Sequence, residues 1–211
     1  MAGIAAYFGS DQTALSDLSE GLGSRGPDGS GWSGGKLGLV IRAALPTIHT
    51  SAAGLTAVVD GIAETSRLLN EYVEHGPEAL VQTGEPYTIA VADPDREALL
   101  LGRAGDGPGL YYAEVAGNVY AAAEPAALFA AGVPAVPDRE VVRRFVDTGV
   151  SDDNGRTFFS RVRRVVPGQV VEITANGIRT HTVPAGLPQP PTSAPLAIQE
   201  AVRHGRIGVR L

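Results

Sequence analysis

The sequence predicts an α+β fold in which helices cover the faces of antiparallel sheets. Two observations carry that prediction. Short apolar-rich runs come in consecutive pairs around turn residues, the pattern of hairpins. Between the pairs lie segments with apolar residues at helical spacing, each closed by a glycine. Strands and helices mixed in this way build a core from layered sheets and helices.

In chain order, MAGIAAYFG reads as a strand at the very start. Met1 precedes the small Ala2, a pair from which initiator methionine is usually removed to leave a free amine on Ala2. SDQTALSDLSEGLG reads as a helix with Ser10 or Asp11 as N-cap, Leu15 and Leu18 on its apolar face, and Gly21 or Gly23 as its stop. GSRGPDGSGW, residues 23–32, is dense in turn formers and reads as a surface loop. It lacks the Lys-Ser/Thr of a phosphate loop, and its Arg25 could pair with a substrate carboxylate through both arms of the guanidinium. ETSRLLNEYVEHG is a helix with Leu68, Leu69, Tyr72 and Val73 on one face and Gly76 at its end.

Hairpins follow. YTIAVADPDREALLLGR turns at Asp93-Pro94-Asp95, and LYYAEVAGNVYAAAE turns at Gly117-Asn118. EPAALFAAG is a short helix with Pro125 in its first turn. PDREVVRRFVDTG takes Asp138 as N-cap, Val141, Val142, Phe145 and Val146 as its apolar stripe, and Gly149 as its stop. QVVEITANGIRTHTV is a last hairpin around Asn176-Gly177. From Pro184 the composition changes: residues 184–195 read as a stiff Pro-rich linker, and residues 196–211 read either as a short helix and a first strand of a further domain or as a disordered tail.

The totals narrow the function. At about 100–200 residues per domain, 211 residues allow one domain and a short appendage. The net charge is −6 and the basic residues form no run, which argues against nucleic acid as a partner. With no cysteine, disulfides, thiolate metal sites and a cysteine nucleophile are all excluded. His49, His75, His181 and His204 lack ligand spacing, so no metal site is expected. Neither a basic leader nor an apolar stretch of membrane-spanning length is present, and a cytoplasmic location without membrane association is the expectation.

The order of pieces is more specific. MAGIAAYFG, RGPDGSG, LGLVIRAAL, AVVDGIAE, LLLGRAGDGPGLYY, AAAEPAALFAAGV and TFFSRVRRVVPGQVVEI together resemble the N-terminal glutaminase domain of asparagine synthetase-like enzymes. These are class II glutamine amidotransferases, and the resemblance spans residues 1–183. It implies the N-terminal nucleophile (Ntn) hydrolase fold, a four-layer αββα sandwich of two antiparallel sheets flanked by helices. It also implies that residues 196–211 open an ATP pyrophosphatase-like synthetase domain. ATP and Mg would be needed only there, and no cofactor is expected in this chain.

Carried over by position, the resemblance places Ala2 where the family has its cysteine nucleophile. A methyl group cannot attack an amide. Asp60 and Gly61 take the position of the Asn-Gly oxyanion hole, and Ile62 that of the glutamate that holds the glutamine ammonium. Asp60 would face developing negative charge with a carboxylate. Arg42 takes the place of the glutamine-carboxylate arginine, and Glu64 that of a later aspartate for the glutamine amine. Three substitutions at one site imply a degenerate glutaminase, structural for its synthetase domain. The relatives with a lost nucleophile are β-lactam synthetases and lasso-peptide macrolactam cyclases. Two alternatives stay open. One is a glutamine-hydrolysing asparagine synthetase with Ala2 as an isolated or engineered change. The other is a stand-alone small-molecule-binding module. The expected partner is the synthetase domain of the same enzyme, with a homodimer as a further expectation.

Overall fold

The computed structural model describes residues 2–150 and 154–183; the linker and the segment 196–211 lie outside the described residues. The elements run β1 (Gly3–Phe8), α1 (Ala14–Gly21), β2 (Asp28–Gly34), β3 (Leu37–Ala43), β4 (His49–Thr50), β5 (Thr56–Gly61), α2 (Thr65–His75), β6 (Tyr87–Asp93) and β7 (Ala98–Ala104). They continue β8 (Tyr111–Val115), β9 (Asn118–Ala122), α3 (Pro125–Ala130), α4 (Arg139–Thr148), β10 (Arg163–Arg164), β11 (Gln169–Thr174) and β12 (Gly177–Thr182). The strands form two six-stranded sheets, β10-β8-β9-β1-β3-β2 and β12-β11-β7-β6-β5-β4. Every pairing is antiparallel.

Three cores make the four layers. Between the sheets, Ile4, Ala6, Phe8, Leu39 and Ile41 meet Val58, Ala90, Leu99, Leu101 and Val171. On the outside of the first sheet, Ala5, Tyr7 and Val40 pack under α1 and α3 through Leu18, Leu22 and Leu128. On the outside of the second, Ala57, Ile89 and Leu100 pack under α2 and the 3-10 turn Pro77–Val81. The pleat sends alternate residues of β1 to opposite cores, and this is why GIAAYF is buried along its whole length.

Several local expectations are corrected. Residues 28–32 of the stretch read as a loop belong to strand β2 (Asp28–Gly34) along the edge of the first sheet, and only residues 23–25 make a helical turn. Their glycines and serines carry no strand signal, but an edge strand needs only backbone bonds to one neighbour, here β3. Both hairpin turns lie one residue earlier than expected. Val115 pairs with Asn118 across Ala116-Gly117, and Thr174 pairs with Gly177 across Ala175-Asn176. Asn118 instead uses its side chain, accepting from the Tyr7 hydroxyl at 2.6 Å and from the Ser10 N–H at 3.0 Å.

α1 begins after Thr13, and Asp11 accepts the Thr13 N–H ahead of the helix. Asp138 caps α4 as expected, accepting the N–H groups of Glu140 and Val141, and Gly149 closes it in the left-handed region. The apolar stripe of α4 is not buried: Val141 alone is covered, and Val142, Phe145 and Val146 are exposed. Val73 of α2 is exposed as well. Helical spacing identifies a face, but only the neighbouring layer decides how far round the helix the cover extends.

Candidate functional site

β1 lies in the middle of the first sheet, and its first turn of pleat brings Ala2 to the rim of the inter-sheet core. Gly3 points the other way, toward the stem of Arg25. A Cβ there would sit 2.5 Å from Arg25 Cγ, so this close approach requires glycine. From the opposite sheet, the end of β5 arrives as Val59-Asp60-Gly61.

Asp60 is 1% exposed. Its Oδ1 accepts the backbone N–H of Ala2 at 3.1 Å, and its Oδ2 is buried with no hydrogen-bond partner among the described residues. Burial pushes the Asp60 carboxyl above its ordinary range, and the Ala2 N–H and the Arg25 charge pull part of the way back. Gly61 has φ +123°, and a Cβ on it would lie 2.7 Å from the Pro86 carbonyl oxygen. Ile62, next along, is 78% exposed.

Ala2, Val59, Asp60, Gly61 and Ile62 form one side of a cavity of about 630 Å³. The other side comes from the loops that flank the β6–β7 hairpin: Glu85 and Pro86 before it, Asp106 and Pro108 after it. The register explains the meeting. Tyr87 pairs with Ala104, so Glu85 and Asp106 each lie two residues beyond that pair, and Gly61 pairs with the same Tyr87. Among the described residues the site therefore presents a methyl group, apolar walls and three carboxylates, with no basic side chain in its lining. Among the described residues no group of His, Cys, Asp and Glu is arranged to hold a metal ion.

A model of the glutamine amidotransferase domain family matches residues 47–183. The chain belongs to this family. A search of curated proteins returned no match. Among solved structures, glutamine phosphoribosylpyrophosphate amidotransferase from B. subtilis, complexed with ADP and GMP, is similar with a TM-score of 0.53 and 12% identity, over 88% of this chain and 50% of that one. A structure described as the allosteric regulatory enzyme of purine biosynthesis gives a TM-score of 0.52 and 13% identity, again over 88% of this chain and 50% of that one. At such identities the likeness is one of fold, the two-sheet sandwich of the Ntn-hydrolase amidotransferases. The chain spans about half the length of these two enzymes.

The amidotransferase domain brings Ala2, Asp60 and Gly61 together in one cavity. It does not bring Arg42 to them, and Arg25, whose charge reaches Asp60, stays outside the cavity lining. Leu37, Leu39 and Ile41 of β3 face the inter-sheet core, so the pleat turns Arg42 to the helix side. There Arg42 donates from Nε to the Gly26 carbonyl at 3.1 Å and from Nη2 to the Pro27 carbonyl at 2.9 Å, beside a separate groove shared with Trp32. Arg25 is held in an ion pair with Glu124. Glu64 is an exposed residue ahead of α2, outside the cavity lining. Glu85 and Asp106 were not among the sequence candidates. The signal for them is pairing arithmetic: once the β6–β7 hairpin is in register, its two flanking loops must lie side by side.

No described helix of the amidotransferase domain is long and apolar enough to cross a membrane.

Proposed function

We propose that this chain is a glutamine amidotransferase domain that does not hydrolyse glutamine and serves an ATP-dependent, amide-forming ligase of the asparagine synthetase type. In the β-lactam synthetases and macrolactam cyclases that it resembles, a substrate's own amine takes the place of ammonia, and no glutamine need be split. The domain's role would be to brace a synthetase domain of the same enzyme and to shape its substrate cleft.

The observation that carries this reading is the pairing of Ala2 with Asp60. Residue 2 stands at the mouth of the cavity with a methyl group, and its backbone N–H is bound to a buried carboxylate at 3.1 Å. Acyl transfer needs a nucleophile and hydrogen-bond donors aimed at the developing oxyanion. Ionised Asp60 is only an acceptor, and its charge opposes an oxyanion. The absence of Arg42 from the cavity removes an anchor for the carboxylate of glutamine.

The purified chain should release no glutamate from glutamine above background, and Ala2→Cys alone should not restore turnover, because Asp60 remains. Coupled glutamate-dehydrogenase detection reads both. Family-like rates in the Ala2→Cys protein would identify Ala2 as an isolated change in an otherwise competent glutaminase.

A further inference from the structure

We infer that the cavity at Ala2 takes a small organic cation, an alkyl- or arylalkylammonium without a carboxylate, with its ammonium on Asp60 and its apolar body against Ile62, Pro86 and Pro108. This rests on the reading that the site has left glutamine chemistry, and it adds the class of ligand that the altered site accepts.

The first support is a buried carboxylate oxygen without a partner, beside a second unpaired polar atom deeper in the core. Asp60 Oδ2 and Thr88 Oγ1 are both buried, and neither has a hydrogen-bond partner among the described residues. Asp60 pairs directly with Thr88 across β5 and β6, and both are at most 1% exposed. Side chains directly opposite in an antiparallel pair stand on the same face, with Cβ atoms about 4.5–5.5 Å apart. That face is the one on which Val58 and Ala90 line the inter-sheet core. Thr88 lies outside the cavity lining, whereas Asp60 is part of it, so the unpaired Asp60 Oδ2 is the acceptor that an ammonium in the cavity can satisfy.

The second support is the charge of the walls. Glu85 and Asp106 sit exposed at the rim, and neither has an ion-pair partner among the described residues. Among the described residues no basic side chain lines the cavity. With Asp60, that makes three carboxylates, and a free ammonium on Ala2 would offset only one of them. A cleft lined by one sign of charge raises the local concentration of the opposite ion.

The third support is what the site lacks. A zwitterionic amino acid would bring a carboxylate against Glu85 and Asp106 with no guanidinium to receive it, because Arg42 lies on the opposite face of its sheet and Arg25 is paired with Glu124. Such an unpaired, same-sign contact discriminates against glutamine. The apolar remainder of the wall, with Ile62 standing 78% exposed at the mouth, suits a hydrocarbon body.

The test uses the full chain with benzylammonium and hexylammonium as probes, titrated by calorimetry or ligand-observed NMR beside benzyl alcohol, phenylacetate and L-glutamine. The ammonium probes should saturate with a Kd of about 1 mM or tighter, the range that ligands of this size reach. The alcohol, the carboxylate and glutamine should bind at least about tenfold more weakly. Asp60→Asn should weaken the ammonium probes about tenfold or more. The exposed double variant Glu85→Gln/Asp106→Asn keeps the test independent of the buried position; it should weaken binding several-fold and flatten its salt dependence. Equal binding of benzyl alcohol, an ammonium affinity unchanged in both variants, or no saturation by either probe would overturn the inference. Glutamate release in the parallel assay would overturn the loss of glutaminase activity instead, so the two failures are separable.

Discussion

Asp60 is where the chemistry of this domain is concentrated. Its carboxyl is pushed up by burial, against the pull of the Ala2 N–H and of Arg25. A carboxylate with a raised folded-state pKa stabilises the fold fully below its unfolded pKa of about 3.9, and that stabilisation is lost as pH rises through the folded value. Above that folded value the ionised Asp60 therefore costs stability, and an isosteric amide that still accepts from Ala2 would not. Asp60→Asn should raise the melting temperature at pH 7 by about 2–4 °C, equivalent to about 1 kcal/mol, with the gap closing as pH falls toward about 4. Paired thermal scans across that pH range check it. A gap that persists unchanged at acidic pH would mean that Asp60 is not the titrating group.

At the scale of elements, the hairpins are set by backbone geometry more than by composition. The β8–β9 turn holds Ala116 at φ 51° and Gly117 at φ 76°, so both central residues are left-handed, as a type I′ turn requires. Ala116 bears a Cβ in that region, at a cost of roughly 1 kcal/mol, and its side chain is exposed. Asn tolerates the region and favours the same turn. Ala116→Asn should stabilise the protein by about 0.5–1 kcal/mol without altering the fold, read as a rise in denaturant midpoint at constant m-value. The expectation of Gly117-Asn118 as the turn was off by one residue, and a shift of one residue in a strand exchanges its faces. Here it frees the Asn118 side chain to bind Tyr7 and Ser10, a tie between β9, β1 and the approach to α1.

At the scale of the whole molecule, one polar network clasps a helix to the second sheet. Tyr72 of α2 donates to Asp93 at 2.7 Å and accepts from Arg96 Nη1 at 2.9 Å. Arg96 Nη2 reaches Glu172 at 3.3 Å, and His181 stands 2.8 Å from the other oxygen of Glu172 and 3.3 Å from Glu78. Burial, with Asp93 beside it, pushes the Tyr72 phenol up, so it stays a donor throughout the physiological range. Arg96 is half exposed, and solvent discounts its ion pair with the buried Glu172. Arg96→Met should cost about 1–2 kcal/mol, a fall in melting temperature of about 3–6 °C, through loss of the bridge between α2 and β11. An unchanged melting temperature would show that the tie is dispensable.

The sequence by itself determined the class of fold, most of the helices and hairpins, and the residues at the end of β1 and β5. These are local matters: glycine and proline punctuation, a two-residue or 3.6-residue apolar period, and motif order. It determined as well that residue 2 is an alanine and residue 60 an acid. Only the tertiary structure decided which candidates share a cavity. Arg42 was a candidate by position, but one step of the pleat puts it on the other side of its sheet. Arg25, read as a carboxylate ligand, finds Glu124 from a segment almost a hundred residues later, with |i−j| of 99. Glu85 and Asp106 enter the site because two hairpin-flanking loops meet, and the stripe of α4 stays exposed because no described layer covers it. Each of these outcomes depends on strand register and layer order, long-range properties that no local window of sequence contains.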